Sequence, residues 1–301
     1  MWMVLFLATL LAPDAEAQRI KSRKTEGLPL QGSDPEVYRW YTAKGERIDY
    51  DMALRRIEAA EVILFGELHD HPVIHWLQLR TAKALVDAGG LVLGGEMFEA
   101  DNQIQLDEYC AGLLNDKRFE ADTRLWPNYK TDYRPLVQLA RSKGLRFIAT
   151  NVPRRYAGMV SQLGLDTLSG LSDDAKALMA PLPMAFSMDT PGYREMLGMM
   201  HGGAGMGMNP DNFVKAQALK DATMAHFILK NLRTGARFLH FNGDYHSASY
   251  GGIYWYLKQA KPSLNVLTVK VFSEDDLSFQ PDWASTGDLI LVVADDFTRT
   301  H

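Results

Sequence analysis

Cysteine is almost missing from this sequence. The single Cys110 excludes an internal disulfide and any metal site built from several thiolates. Positive charge is neither in excess nor clustered: 32 Lys and Arg stand against 37 Asp and Glu, a net charge of −5. No basic stripe awaits a phosphate backbone, so nucleic acid is not an expected partner. Long apolar runs are scarce as well. A membrane span takes about 20 apolar residues, and the run over residues 2–12 is shorter. It leads into Ala15-Glu16-Ala17, the small-x-small pattern of a signal-peptidase site, although no Lys or Arg precedes it. Residues 1–17 are therefore expected to be a signal peptide, with the mature protein in the periplasm or associated with the outer membrane. No cysteine follows the run, which removes a lipid anchor at that point. Low complexity is confined to GMMHGGAGMGM, residues 198–208.

What is present is an alternation of short apolar runs with helical patterns, the mark of an α/β fold. Runs at 62–65, 91–94, 146–150, 238–242, 266–271 and 289–293 read as buried strands. They lack strict polar alternation, as parallel strands covered on both faces do. Helices are expected over 72–88, 134–143 and 213–232. Residues 18–50, loose at first and Gly- and Pro-bearing, read as an N-terminal extension, and 51–301 as the α/β domain. Residues 156–211 hold Pro181, Pro183, Pro191 and many glycines but no convincing strand, which predicts a helical insertion over the sheet.

Ligands of parallel sheets collect beyond the carboxyl ends of strands. Three of the eight histidines fall in GELHDHPVIH, directly behind the run at 62–65. Glu67 and His69 follow that strand, and Pro72 opens a helix capped by Asp70 or His71. His75 is expected on the inward face of that helix beside Leu79, and His71 at the surface. The run at 238–242 ends in a second Gly-x-x-His, Gly243 to His246, with Tyr245 and Tyr250 nearby. A third strand end offers Glu96 and Glu99, a fourth Asn151, Arg154 and Arg155. Glu67, His69, Glu96 and His246 thus form a candidate site, either for a divalent ion that activates water or for general acid/base catalysis. Alternatively, the acids cap helices and the imidazoles bond within the core.

Half of the fourteen methionines lie between 184 and 208, with Tyr193 and His201 among them. Such a segment suits a flexible apolar lid. It also suits a wall for haem, with His201, Tyr193 or a methionine sulfur on the iron and Met199, Met200 and Met206 against the ring. A copper(I) site is the third option.

GELHD at 66–70, GGEMFEADNQIQLDEY at 94–109, YRPLVQLARSKGLRFIATNVPRR at 133–155, AQALKDATMAHFI at 216–228 and FNGDYHSASYGG at 241–252 together resemble the ChaN-like haem-binding uptake proteins of the Tiki superfamily. The resemblance implies a mostly parallel sheet flanked by helices with a smaller helical part, bacterial export, and haem held partly by the helical region, often between two subunits. It points to haem as the ligand, with an outer-membrane haem receptor and a second copy of the chain as further partners. By comparison with the wider superfamily, which includes metal-dependent peptidases and, more distantly, erythromycin esterases, Glu67, His69, Glu96 and His246 carry over as the polar cluster. The haem contacts expected for this chain are His201, Tyr193, Met199, Met200, Met206 and Arg154. The alternative function is a metal-dependent hydrolase, or an enzyme that releases iron from haem, working through the same cluster.

Overall fold

Alternation along the strands decides the layers. In the computed structural model, which describes residues 36–202 and 209–301 and only the backbone of 199–202, β3 (Val62–Glu67) is buried throughout. Ile63 and Phe65 join one apolar cluster while Val62 and Leu64 join another. Successive side chains of a strand point to opposite faces, so a strand apolar at every position needs cover on both sides. One face is covered by α2 (Pro72–Asp87), α3 (Gln103–Cys110), the short α4 (Asp116–Asp122) and α5 (Arg134–Lys143), through Leu77, Leu106, Phe119 and Leu136. The other face is covered by α9 (Pro210–Asn231) and α10 (Gly252–Ala260), through Met224, Ile228, Ile253 and Leu257.

Among the described residues eight strands make one sheet, in the order β2-β1-β8-β7-β3-β6-β4-β5. The strands β3, β4 (Leu91–Glu99), β5 (Phe147–Asn151), β6 (Arg237–Gly243), β7 (Val266–Glu274) and β8 (Leu289–Ala294) run parallel. Five of the six contain the runs expected as strands and β5 begins one residue later than its run, so the α/β reading and its parallel sheet hold.

The edge differs from expectation. β1 (Tyr38–Thr42) pairs antiparallel with β8 and with the two-residue β2 (Arg47–Ile48). The sheet therefore takes in residues that read as extension. Trp40 and Ile48 are buried and belong to the main core, but two strands of five and two residues carry too little periodicity to be seen in advance. α1 (Tyr50–Glu58) follows, capped by the Asp49 carboxylate, which accepts from the Met52 amide.

Residues 154–202 hold α6 (Arg154–Leu163), α7 (Asp173–Lys176), α8 (Tyr193–Gly202) and a 3-10 turn at Leu165–Gly170. No strand occurs there, as the proline spacing predicts. The expected signal peptide, residues 1–17, lies outside the described residues. No helix among the described residues is long and apolar enough to cross a membrane.

Candidate functional site

Three adjacent parallel strands build the site. β6 lies between β3 and β4, and the register sets Glu67 opposite Gly243. β4 continues past Gly95 to Glu99 through an irregularity in its pairing with β5, and this carries Glu96 to the same rim. A Cβ on Gly243 would stand 2.7 Å from His69 Cε1 and 3.3 Å from Glu96 Oε2. His69 and Glu96 therefore close over the glycine from two sides, an approach that any side chain at 243 would obstruct. The Gly243 amide donates to Glu96 Oε2 at 2.8 Å.

The two histidines of the site differ in kind. His246 is buried, with Nδ1 2.5 Å from Asp221 Oδ1 and Nε2 3.0 Å from Glu96 Oε1. Burial disfavours its charge, but the two flanking carboxylates prevail and push its pKa up to about 10. Burial also pushes Glu96 upward, yet the His246 charge and hydrogen bond hold it well below the usual carboxylate range. Asp221 is raised by its burial, against the pull of His246. Its second oxygen accepts from the Tyr193 hydroxyl at 2.7 Å. The imidazolium is thus locked between two acids, and neither ring nitrogen is left for a substrate.

His69 is open. Its side chain is 42 % exposed, and Nδ1 donates to Glu67 Oε1 at 3.0 Å. Burial lowers its pKa, but the Glu67 hydrogen bond and the Glu96 and Glu67 charges outweigh that and raise it. Glu67 is buried and also accepts from the Tyr133 hydroxyl at 2.7 Å and from Gln78 Nε2 at 2.8 Å. Burial pushes its carboxyl up, while the hydrogen bond to His69 and the His75 and His69 charges bring it below its ordinary value. The turn is fixed from behind, since His75 Nε2 and Asn128 Nδ2 both donate to the main-chain oxygen of His69, at 2.9 and 2.6 Å.

In front of this cluster is a polar cavity of about 810 Å3 lined by Glu67, His69, Glu96, Gln217, Lys220 and His246. Beside it is an apolar cavity of about 520 Å3 with Tyr193, Phe213 and Trp283 in its wall. Met196, Tyr245, Lys270 and Phe272 line both. Trp283 stacks on Phe272 with ring centroids 4.2 Å apart. Tyr245 is 68 % exposed at the junction, and Lys270 is ion-paired with Asp244.

Glu67, His69, Glu96 and His246 are thus brought together, but their arrangement departs from the metal set expected of them. Among the described residues no group of three or more His, Cys, Asp or Glu is placed to hold a metal ion. The reason is visible in the pairs above: carboxylates and imidazoles face one another at hydrogen-bond distance. Tyr193 is 2 % exposed and its hydroxyl is committed to Asp221. Arg154 clamps Glu99, its Nε 2.7 Å from Oε1, and does not line either cavity. The side chains of His201, Met199 and Met200, and all of Met206, lie outside the described residues. His71, expected at the surface, is fully buried, its Nε2 3.0 Å from the Ala294 oxygen. His75 is buried, as expected.

Asp221, Gln217 and Lys220 were not singled out in the sequence. The one signal they offered is that polar residues at i, i+3 and i+4 share a face of α9, and Lys215, Thr223 and His226 on the same helix obscure it. Tyr133 and Gln78 carried no such signal, since an aromatic and an amide on amphipathic segments are ordinary.

The model of the family described as haem-binding uptake, Tiki superfamily, ChaN matches residues 53–257, and the chain belongs to that family. No curated protein matches the chain. Among solved structures it is similar to ChaN of Campylobacter jejuni, described for cofacial heme binding, with a TM-score of 0.65 and 18% identity over 86% of this chain and 97% of that one. This likeness shows the shared fold. A succinoglycan biosynthesis protein (TM-score 0.47, 12% identity, 84% of this chain and 93% of the other) and the erythromycin esterase EreC in its open conformation (0.46, 11%, 78% and 77%) also match.

Proposed function

We propose that this member of the ChaN haem-binding uptake family is an exported carrier that binds haem in the joined cavities, with Tyr245 as the iron ligand. The observation that carries the reading is the division of the cleft into an aromatic half and an ionic half that meet at an exposed tyrosine. A porphyrin needs flat apolar walls, a ligand for iron and a wet edge for its carboxylates. Phe213, Phe272 and Trp283 supply the first, and the Tyr245 hydroxyl, which has no hydrogen-bond partner among the described residues, supplies the second. Lys220 offers a cation at the wet edge. Bound haem brings its iron chemistry with it, and the chain's own residues bind, orient and shield the ring. Apolar burial supplies most of the affinity, at about 25 cal/mol per Å2 before ordering costs.

Met196 faces both cavities and is the described methionine that supports a lid reading of the Met-rich segment. Residues 1–17 would direct export, 18–50 would lead into the domain at 51–301, and a haem receptor of the outer membrane and a second copy of the chain would be the partners.

Titration with haemin tests the reading. A saturable Soret shift is expected, and Tyr245→Phe should weaken binding about tenfold or more, roughly the loss of one charged-group bond. A wild-type protein with no saturable shift refutes it.

A second reading is favoured by one feature, the Glu67–His69 pair. The carboxylate fixes Nδ1–H and leaves Nε2 at the cavity, the arrangement of a general base that takes a proton from water and returns it to a leaving alcohol. Turnover of aryl esters that falls at least a hundredfold in Glu67→Gln supports it. Failure of the wild type to hydrolyse any of a panel of such esters sinks it.

A further inference from the structure

The His69 turn is held from a direction that the strand-end motifs do not explain. Residues 297–301 cross it in irregular conformation and end in the polar cavity, where His301 lines the wall with His69 and Asp70. Thr300 makes the central contacts. Its amide donates to the Asp70 oxygen at 3.0 Å and its hydroxyl to Asp132 Oδ2 at 2.6 Å. Asp132 is buried and accepts from Asn128 Nδ2 at 2.7 Å, the same nitrogen that donates to the His69 oxygen. Three hydrogen bonds, by way of Asp132 and then Asn128, therefore link Thr300 to the backbone of His69. On either side, Phe297 packs against the buried His71 with ring centroids 6.1 Å apart, and Arg299 is anchored to Asp295 at 2.7 Å and faces Asp70 at 3.7 Å.

We propose that residues 297–301 are a working part of the binding site: Thr300 positions His69 through Asp132 and Asn128, and His301 is a second imidazole that contacts the bound ligand. The assignment of haem as that ligand rests on the reading above. A segment that served stability alone would need only Phe297 and Arg299. This one carries on past its anchors into the cavity and places there a side chain that can donate or accept. Thr300 is a positioning residue in this scheme, and His301 a binding residue.

The scheme separates the two roles in full-length protein. Thr300→Val keeps the shape but removes the hydroxyl, so the His69 ring resonances should move and the amide of His71, which bonds to Leu68, should exchange faster, with or without haemin. His301→Ala should leave His69 resonances in place and weaken haemin binding about three- to tenfold, the worth of one hydrogen bond. Unchanged His69 resonances and His71 exchange in Thr300→Val overturn the positioning role. Equal haemin affinity in His301→Ala and a wild type that binds haemin overturns the ligand contact. If the wild type binds no haemin, the haem reading and the His301 contact fall together, and the positioning role is judged by the His69 and His71 signals alone.

Discussion

Raising the pH should weaken this fold well before its lysines titrate, and His246 is the reason. An unfolded histidine loses its proton near its ordinary value of about 6.5, whereas His246 between Glu96 and Asp221 keeps it to about 10. Between those values the folded state binds a proton that the unfolded state has released. The stabilisation is therefore complete below about pH 6.5 and is lost progressively as pH rises towards 10. At about 1.4 kcal/mol per decade the ceiling is about 5 kcal/mol. The net contribution is smaller, because the pair sits in a buried pocket where desolvation of Asp221 works against it. A slope near 1 kcal/mol per pH unit between pH 7.5 and 9, measured by urea unfolding, is the working expectation. Cys110, raised to about 11 by burial, acts in the same direction above about pH 8.5, so the slope must be compared with that of His246→Gln. Nuclear magnetic resonance supplies a check independent of that variant, since the His246 ring should still carry both protons at pH 8.5. A neutral ring at that pH, or the same slope with and without His246, would refute the locked imidazolium.

Removal of the Tyr193 hydroxyl in Tyr193→Phe leaves a fully buried Asp221 oxygen short of its 2.7 Å donor, which should cost about 1–3 kcal/mol in urea unfolding; an unchanged midpoint would show that the bond contributes nothing. Glu67→Gln places an amide where three donors converge. It should destabilise by about 3 kcal/mol and drop the His69 pKa towards its ordinary value, and a His69 titration curve identical to wild type would contradict the pairing. Gly243→Ala puts a methyl 2.7 Å from His69 Cε1. Because that ring is half exposed it can swing away, so stability should fall by about 1 kcal/mol or less while the His69 resonances shift markedly. A large loss of stability would mean that the backbone, not the ring, gives way.

How much of this was legible beforehand depends on where each residue stands. The six parallel strands announced themselves because burial on both faces demands unbroken apolar runs. Glu67, His69, Glu96 and His246 were recoverable because strand ends of a parallel sheet share a rim. The edge strands Tyr38–Thr42 and Arg47–Ile48 were not: the first pairs with β8, some 250 residues away in sequence, which leaves no local trace, and the second is two residues long and, among the described residues, pairs only with the first. His71 misled for a related reason. Pro72 fixes it as the residue before the helix, but its burial comes from Phe297 and Ala294 at the far end of the chain. Asp221 was hidden by its setting in a long helix, where a single acid reads as surface until the strand opposite is known.

The two Gly-x-x-His turns look interchangeable in sequence, and the register shows why they are not. Were they in step, Gly66 would face Gly243; instead Gly66 faces Asn242, and Glu67 faces Gly243. In a sheet, a shift of one residue sends each side chain to the other face. Beyond the strands the two segments part: the 3-10 turn Asp244–His246 carries one histidine towards α9, where it meets Asp221, and the turn after Glu67 leaves the other at the cavity beside Gly243. Glycine at 243 is what allows the exposed His69 to approach the buried Glu96 across the strand between them. A pair of imidazoles held in equivalent positions would repel when charged or would compete for the same acid. Staggered by one residue, each has its own carboxylate, Glu67 for His69 and Asp221 for His246, and Glu96 is set between the two. The division of labour between a locked imidazolium and an open imidazole thus follows from the offset of the two strand ends and the different turns that leave them, before any ligand is considered.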